Sequence, residues 1–113
     1  MLLEQYISPH PQAKVLVLFG GNPLRRDQVI RHLKVIPELS IIGTLSEAEG
    51  LQTLRQLPRV DIVLIGGRYE NDQRQRIRAF IRTHLPHVKV TEPGVDYPYE
   101  ENLIKQQVEQ LMQ

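Results

Sequence analysis

The stretch "VLIGGRYEND" at residues 63–72 decides the fold. Its apolar residues run directly into Gly66 and Gly67 and are followed by polar residues, as expected for a buried strand that ends in a tight turn. In a parallel α/β sheet, ligands and chemistry are found just beyond the carboxyl ends of the strands. Because glycines stand at that place here, the sequence marks a site but offers no catalytic side chain in it.

Strand patterns and helix patterns alternate on both sides of this stretch. Nearly continuous apolar runs predict four buried strands, at residues 14–19, 40–45, 60–66 and 88–91. Amphipathic patterns predict four helices, at residues 24–36, 46–57, 72–85 and 100–112. Strands that alternate with helices form right-handed crossovers and a parallel sheet. The predicted fold is an α/β three-layer sandwich, with a parallel sheet of four or five strands in the order 2-1-3-4 and helices on both faces.

The first two helices carry recognisable end signals. Asn22 is a good N-cap for the first helix, and Pro23 suits the first helical position. Ser46 and Glu49 are spaced as a capping box for the second helix. Gly50 lies inside that second helix and is expected to weaken it by about 1 kcal/mol relative to Ala.

Length and composition predict one soluble globular domain. The 113 residues suit a single core, with 41% hydrophobic and 24% charged residues. Fourteen Lys and Arg against thirteen Asp and Glu give a net charge of +1, which does not indicate general binding to nucleic acid or membranes. The absence of Cys excludes thiolate metal ligands and a Cys nucleophile. We expect a cytoplasmic protein, because the start lacks a secretory signal and no apolar run is long enough to span a bilayer.

Residues 1–12 lie outside the strand–helix scheme and are predicted to be an N-terminal extension. Within it, Leu2, Leu3, Tyr6 and Ile7 are spaced to form one amphipathic turn. Burying a large apolar side chain is worth about 1.5–3 kcal/mol, so these four should cover part of their own domain or a second subunit. This segment, or the face of the last helix, is therefore a predicted homodimer interface.

The order and spacing of the elements resemble the receiver domain of bacterial response regulators, which has a flavodoxin-like fold. "KVLVLFGGNPLRRDQV" resembles the family's opening strand, acidic turn and first helix. "LSIIGTLSEAEGLQTLRQLPRVDIVLIG" resembles its second strand, second helix and third strand, and "GVDYPYEENLIKQQVEQLM" its fifth strand and last helix. One strand–helix unit of the family is missing between these stretches. The resemblance implies a single receiver-like domain over residues 1–113, acting in signal transduction.

The residues that carry the family's phosphotransfer chemistry are replaced in this chain. Receivers hold Mg²⁺ with an acidic pair after the first strand, where Gly20 and Gly21 stand here, and accept phosphate on an Asp at the place of Gly66. "DYPY" replaces the family's Lys-Pro, while Thr91 matches its hydroxyl residue after the fourth strand. Mg²⁺ needs oxygen ligands, and aspartyl phosphorylation needs a carboxylate nucleophile. The resemblance thus implies a phosphorylation-incompetent domain, not an enzyme, without metal or cofactor.

Two functions of different classes are consistent with these glycines. The first is a protein–protein interaction or regulatory module with a protein partner or a second copy, in which the glycines serve only tight turns. The second is a small-molecule or anion-binding protein, since in the predicted order both glycine loops face one crevice beside helix N-termini with free N–H groups. The candidate ligand-binding residues all lie at this edge: Gly20, Gly21, Asn22, Arg25, Gly66, Gly67, Arg68 and Thr91.

Other site types have less support in the sequence. "LIGG" and "EPG" are faintly similar to cobalamin-binding domains, but "GGNPLRR" lacks the cobalt-ligating His. His84 and His87 are expected to be exposed rather than metal ligands. Residues 68–89 hold six Arg or Lys against two acids, and residues 90–113 hold five acids against one Lys. This segregation is typical of solvated helix faces, or of a basic third helix that meets an acidic partner or the acidic last helix of another copy. Without a recognisable reading motif, nucleic acid is not expected as a partner.

Overall fold

The structure, a computed structural model, describes residues 4–113. Helices and strands alternate along the chain: β1 (Gln5–Tyr6), β2 (Lys14–Phe19), α1 (Pro23–Leu33), β3 (Leu39–Thr44), α2 (Glu47–Gln56), β4 (Ile62–Ile65), α3 (Asn71–His84), β5 (Lys89–Thr91) and α4 (Glu101–Leu111). The predicted α/β class is confirmed. None of the described helices is long and apolar enough to cross a membrane.

Within residues 4–113 the sheet has five strands, in the order β1-β3-β2-β4-β5. The pairs β3–β2, β2–β4 and β4–β5 are parallel, whereas β1 runs antiparallel to β3. The predicted purely parallel sheet with order 2-1-3-4 is therefore not matched, because β1 adds an antiparallel strand at one edge; the four predicted strands themselves lie as β3-β2-β4-β5. The difference arises because the segment before β2, which the strand–helix pattern does not include, supplies an edge strand.

Within the N-terminal segment, Gln5–Tyr6 is an extended strand rather than part of a helical turn. The carbonyl of Glu4 accepts a hydrogen bond of 2.7 Å from the Gly43 N–H, and Tyr6 packs against the core of its own domain. The predicted amphipathic turn is therefore wrong at Tyr6, while Ile7 remains 57% exposed. Leu2 and Leu3 lie outside the described residues. A homodimer through this segment stays a prediction.

Two apolar clusters lie on opposite faces of the sheet and make three layers. Side chains alternate along β2, so that Leu16 and Leu18 pack with α1 and α4, whereas Val17 and Phe19 pack with α2 and α3. The helices thus cover both faces, as predicted. Their inward side chains follow the helical period.

The connection from β5 to α4 is a folded loop. The stretch that resembles the family's fifth strand forms only an isolated bridge between Pro93 and Tyr97. Gly94 has a φ of 87°, a value that favours glycine, and its N–H donates to the Tyr97 carbonyl at 2.7 Å. The loop therefore folds back on itself over the carboxyl edge of the sheet instead of extending it.

Candidate functional site

An open crevice of about 490 Å³ lies at the carboxyl edge of the sheet. Its lining comes from the start of α1, the turn after β4 and the loop before α4: Asn22, Leu24, Arg25, Gln28, Gly67, Arg68, Gly94 and Tyr99. β2 and β4 are neighbours where the chain changes direction across the sheet, so the turns that follow them meet here. The volume lies within the range of about 300–1,000 Å³ that is typical of small-ligand sites.

A narrower inner pocket of about 30 Å³ adjoins the crevice between the two glycine turns. It is bordered by Gly20, Gly21 and Gly66, and it shares part of its wall with the crevice. A space of this size holds little more than a water molecule. A ligand of several atoms would therefore occupy the outer crevice.

The first glycine of each turn is required by close chain approach. Gly20 and Gly66 are buried, and their N–H groups donate to the carbonyls of Thr44 (3.0 Å) and Phe19 (2.8 Å). A Cβ added at Gly66 would lie 3.0 Å from the Phe19 carbonyl oxygen, and one at Gly20 would lie 3.2 Å from that of Thr44. Neither glycine has a positive φ. Packing between strands, not a special turn conformation, therefore selects glycine at these two positions.

The second glycine of each turn allows a side chain to lie over it. A Cβ at Gly21 would lie 3.3 Å from the Arg68 side chain, and one at Gly67 would lie 3.4 Å from the Tyr99 ring. The N–H groups of Gly67 and Arg68 have no hydrogen-bond acceptor within residues 4–113. The turn after β4 therefore leaves two backbone donors at the wall of the crevice.

The charge of the crevice is positive. Arg25 and Arg68 line it, and none of the described residues in the lining is acidic. The Arg25 guanidinium lies 4.7 Å from the centroid of the Tyr99 ring and donates to the Gln28 side chain at 3.2 Å. Arg68 is exposed and has no ion pair among the described residues. One guanidinium is thus held in place and the other is free to meet an anion.

The first N–H groups of α1 are already hydrogen-bonded to the helix's own N-cap. The Asn22 side-chain oxygen accepts hydrogen bonds from the N–H groups of Leu24 (2.9 Å) and Arg25 (3.1 Å), which confirms the predicted N-cap. The expectation that this helix offers free N–H groups is therefore wrong at these two positions, because the cap already uses them. Only the positive end of the helix dipole remains for a ligand.

Thr91 is the one predicted site residue that lines neither the crevice nor the inner pocket. It is 1% exposed, and its hydroxyl lies 2.5 Å from that of Tyr97. Burial raises the pKa of the Tyr97 hydroxyl. Thr91 therefore anchors the loop before α4 rather than facing a ligand.

Sequence reasoning missed a buried ionic cluster behind the turn after β4. Arg74 donates to the carbonyls of Tyr69 and Gly66 and to the Glu92 carboxylate, each at 2.9 Å. The side chains of Arg74 and Glu92 are 8% and 1% exposed, and Arg78 forms a second ion pair with Glu92. Burial lowers the pKa of the Arg74 guanidinium. The cluster ties the end of β5 to the crevice wall.

Tyr69 joins the two glycine turns. Its hydroxyl donates to the Gly20 carbonyl at 3.0 Å, and its ring meets Phe19 edge-on with centroids 6.0 Å apart. Burial raises the pKa of the Tyr69 hydroxyl to about 12, so it stays a neutral donor at physiological pH. The turns are therefore fixed by buried side chains and not left mobile by their glycines.

No protein-family model, curated protein or solved structure matches the chain. The resemblance to receiver domains therefore rests on the sequence stretches quoted above. Among residues 4–113, His, Asp and Glu side chains form no group of three that could hold a metal ion. The His84 ring packs against Phe80 at 4.7 Å between ring centroids.

We expect no aspartyl phosphorylation of this chain. Incubation with acetyl phosphate and Mg²⁺ should leave the intact mass unchanged, because Gly20, Gly21 and Gly66 supply neither metal ligands nor a nucleophile. A receiver domain that retains its phospho-accepting Asp, treated in parallel, controls for the reagent. An acid-stable, base-labile phosphate adduct on any Asp would contradict this expectation.

Proposed function

We propose that the protein is a phosphorylation-incompetent, receiver-like domain that binds a small anionic molecule, carrying a phosphate or carboxylate group, in the crevice. The observation that supports this most directly is the open space lined by Arg25 and Arg68 without any acidic side chain. A concave site with one sign of charge concentrates ligands of the opposite sign.

The donors around the crevice suit an anion of this kind. Guanidinium groups bind carboxylate and phosphate oxygens through two parallel hydrogen bonds. Gly67 and Arg68 line the same crevice, and their N–H groups, which have no acceptor within residues 4–113, can add neutral donors. Leu24 and Tyr99 provide apolar surface for the organic part of a ligand. Arg25 is already oriented by its contacts with Tyr99, which lowers the entropic cost of binding.

The proposed function is binding of a ligand in the crevice without catalysis of a reaction. The crevice lining holds no carboxylate, histidine or aliphatic hydroxyl. A nucleophile with its base, or a general acid–base pair, is the minimum that most reaction classes need. The side chains that line this site recognise charge and shape, as expected of a sensor or regulatory domain.

The proposal predicts that Arg68→Gln weakens anion binding at least about tenfold, since a charged hydrogen bond contributes roughly 1.5–3 kcal/mol. Inorganic phosphate, a nucleoside monophosphate and a dicarboxylate would be tested by calorimetry and thermal unfolding. A ligand at 100 times its Kd should add about 2.7 kcal/mol to stability.

Gly67→Asp should abolish anion binding, because its carboxylate would repel the ligand. Gly67 is exposed, so this substitution is a better test than one at the buried Gly66.

The matched control is Lys34→Gln, which removes a positive charge from an exposed position at the far end of α1. It should bind each ligand as the unaltered protein does. Absence of any stabilising anion at millimolar concentration, or equal affinity in the Arg68→Gln variant, would contradict the proposal.

A protein partner is the second candidate for the same crevice. Leu24 is 66% exposed at its rim, and Val95 is 58% exposed on the neighbouring loop. Arg and Tyr beside apolar surface are typical of the residues that dominate protein interfaces. In that case Leu24→Ser would weaken binding of the partner, or self-association in a sedimentation experiment, while affinity for inorganic phosphate would not change.

A further inference from the structure

β5 is an edge strand of the sheet, and one side of its backbone pairs with no other strand among residues 4–113. Its register with β4 pairs Lys89 with Ile62 and Thr91 with Leu64, and the Lys89 N–H donates to the Asp61 carbonyl at 3.0 Å. Because the hydrogen-bonding direction alternates along a strand, the N–H and C=O groups of Val90 point away from β4. No other strand of the described chain pairs with them. The edge therefore offers a donor and an acceptor for one more strand.

A groove of about 240 Å³ runs beside this edge on the face covered by α3. Its lining combines an apolar floor with two guanidinium groups: Arg78, Ile81, Arg82, Pro86, Val88 and Val90. Val88 and Val90 pack against the apolar cluster beneath α3, so they form a firm floor. We call this feature the edge groove.

The edge groove carries net positive charge. Arg78 shares the single carboxylate of Glu92 with Arg74, so the three side chains together keep one positive charge. Arg82 is exposed and has no ion pair within residues 4–113. On the opposite face, Lys89 donates to backbone carbonyls at the end of α4, which covers that side of the strand. A strand that binds to β5 would therefore meet positive charge on the α3 face, whereas α4 covers the other face.

We propose that the β5 edge binds an extended, acidic segment of another protein, which adds a strand to the sheet. Main-chain hydrogen bonds to Val90 would give affinity, and alternate side chains of the segment would give specificity. An apolar side chain would enter the edge groove, and carboxylates beside it would pair with Arg82 and Arg78. This inference uses residues outside the crevice and does not depend on anion binding there.

A second copy of this chain is a poorer occupant of the same edge. Two β5 strands paired antiparallel about a two-fold axis keep like faces together, so α3 would lie beside α3. Arg78 and Arg82 would then approach the same residues of the other copy, and like charges across an interface are unfavourable. The acidic residues of α4 lie on the other face of the sheet. Charge complementarity therefore favours a partner segment of different, acidic chemistry.

Fluorescence anisotropy with a labelled peptide in which Glu, Val and Glu stand at every second position, separated by Thr, tests this proposal, because alternate residues of a strand share one face. The peptide should bind, and the same peptide with Lys in place of Glu should not. Arg82→Glu should weaken binding about tenfold, because an attractive surface pair becomes a repulsive one. Lys34→Glu is the matched control, since it reverses an exposed charge at the end of another helix and should leave binding unchanged. On binding, hydrogen exchange of the Val90 amide should slow.

Three results would overturn the proposal. One is failure of the acidic peptide to bind at millimolar concentration, or equal binding to Arg82→Glu. Another is loss of peptide binding in Arg68→Gln with no protection of Val90, which would place the peptide in the crevice. The third is concentration-dependent protection of Val90 without peptide, together with a dimer in sedimentation equilibrium, which would make a second copy the occupant.

Discussion

Replacing Arg74 with Ala should lower the free energy of unfolding by about 3–5 kcal/mol, the usual cost of removing one partner from a buried ion pair. The substitution leaves the carbonyls of Gly66 and Tyr69 without their charged donor. It also leaves the Glu92 carboxylate, 1% exposed, with Arg78 as its one remaining ion-pair partner in the described chain. Urea unfolding followed by circular dichroism measures the change.

Arg76→Ala is the matched control on the same helix. Arg76 is 54% exposed, although it makes two hydrogen bonds of 2.6 and 2.7 Å to the Glu47 carboxylate. Exposed ion pairs contribute about 0–1 kcal/mol, so this variant should be nearly as stable as the unaltered protein. If the two variants lost equal stability, burial of the Arg74 cluster would not be what makes it important.

Gly50→Ala should destabilise the protein, although helix propensity alone predicts a gain of about 1 kcal/mol. A Cβ at this position would lie 2.0 Å from Cε2 and 2.4 Å from Cδ2 of the Phe19 ring. Phe19 is fully buried, so its ring cannot swing out into solvent to relieve the contact. Overpacking of this kind costs about 1–3 kcal/mol, and the close contact puts this site at the upper end of that range. Thermal unfolding measures the net effect.

A double-mutant cycle with Phe19→Leu separates the two contributions. In the Phe19→Leu background the ring is gone, so Gly50→Ala should be neutral or stabilising there. The coupling between the two substitutions should exceed about 1 kcal/mol, as expected for residues in contact. A more stable Gly50→Ala single variant would contradict the packing explanation.

The four parallel strands and the helices that cover them could be predicted from the sequence, because apolar periodicity, prolines and cap residues mark them locally. β1 could not, since a strand of two residues has no period to read. It forms because β3 offers it a partner, through contacts such as that between Glu4 and Gly43. Helix propensity marks Gly50 as a weak point of α2, because the local sequence carries no sign of the contact that this residue makes in the fold. Only the tertiary contact with Phe19 shows why a side chain cannot be placed there.

The glycine turns could be located from sequence because the ends of parallel strands meet at one edge. The opposite wall of the crevice could not be predicted. It is formed by Tyr99, which lies in a loop whose path depends on the positive φ of Gly94. Arg74 occupies the same helical face as Ile77 and Ile81, which was the one available sign that a charged residue is buried. Its partner Glu92 lies far along the chain and has no local signal.

The most direct test of the proposed anion site is a titration of the isotope-labelled protein with inorganic phosphate, followed by NMR. We expect saturable shifts of the Gly67 and Arg68 amides and of the Arg25 side-chain N–H, with no change in covalent mass. The residues of the β5 edge should not respond. No shift at tens of millimolar phosphate, or shifts confined to residues outside the crevice, would contradict the claim that this crevice is an anion-binding site.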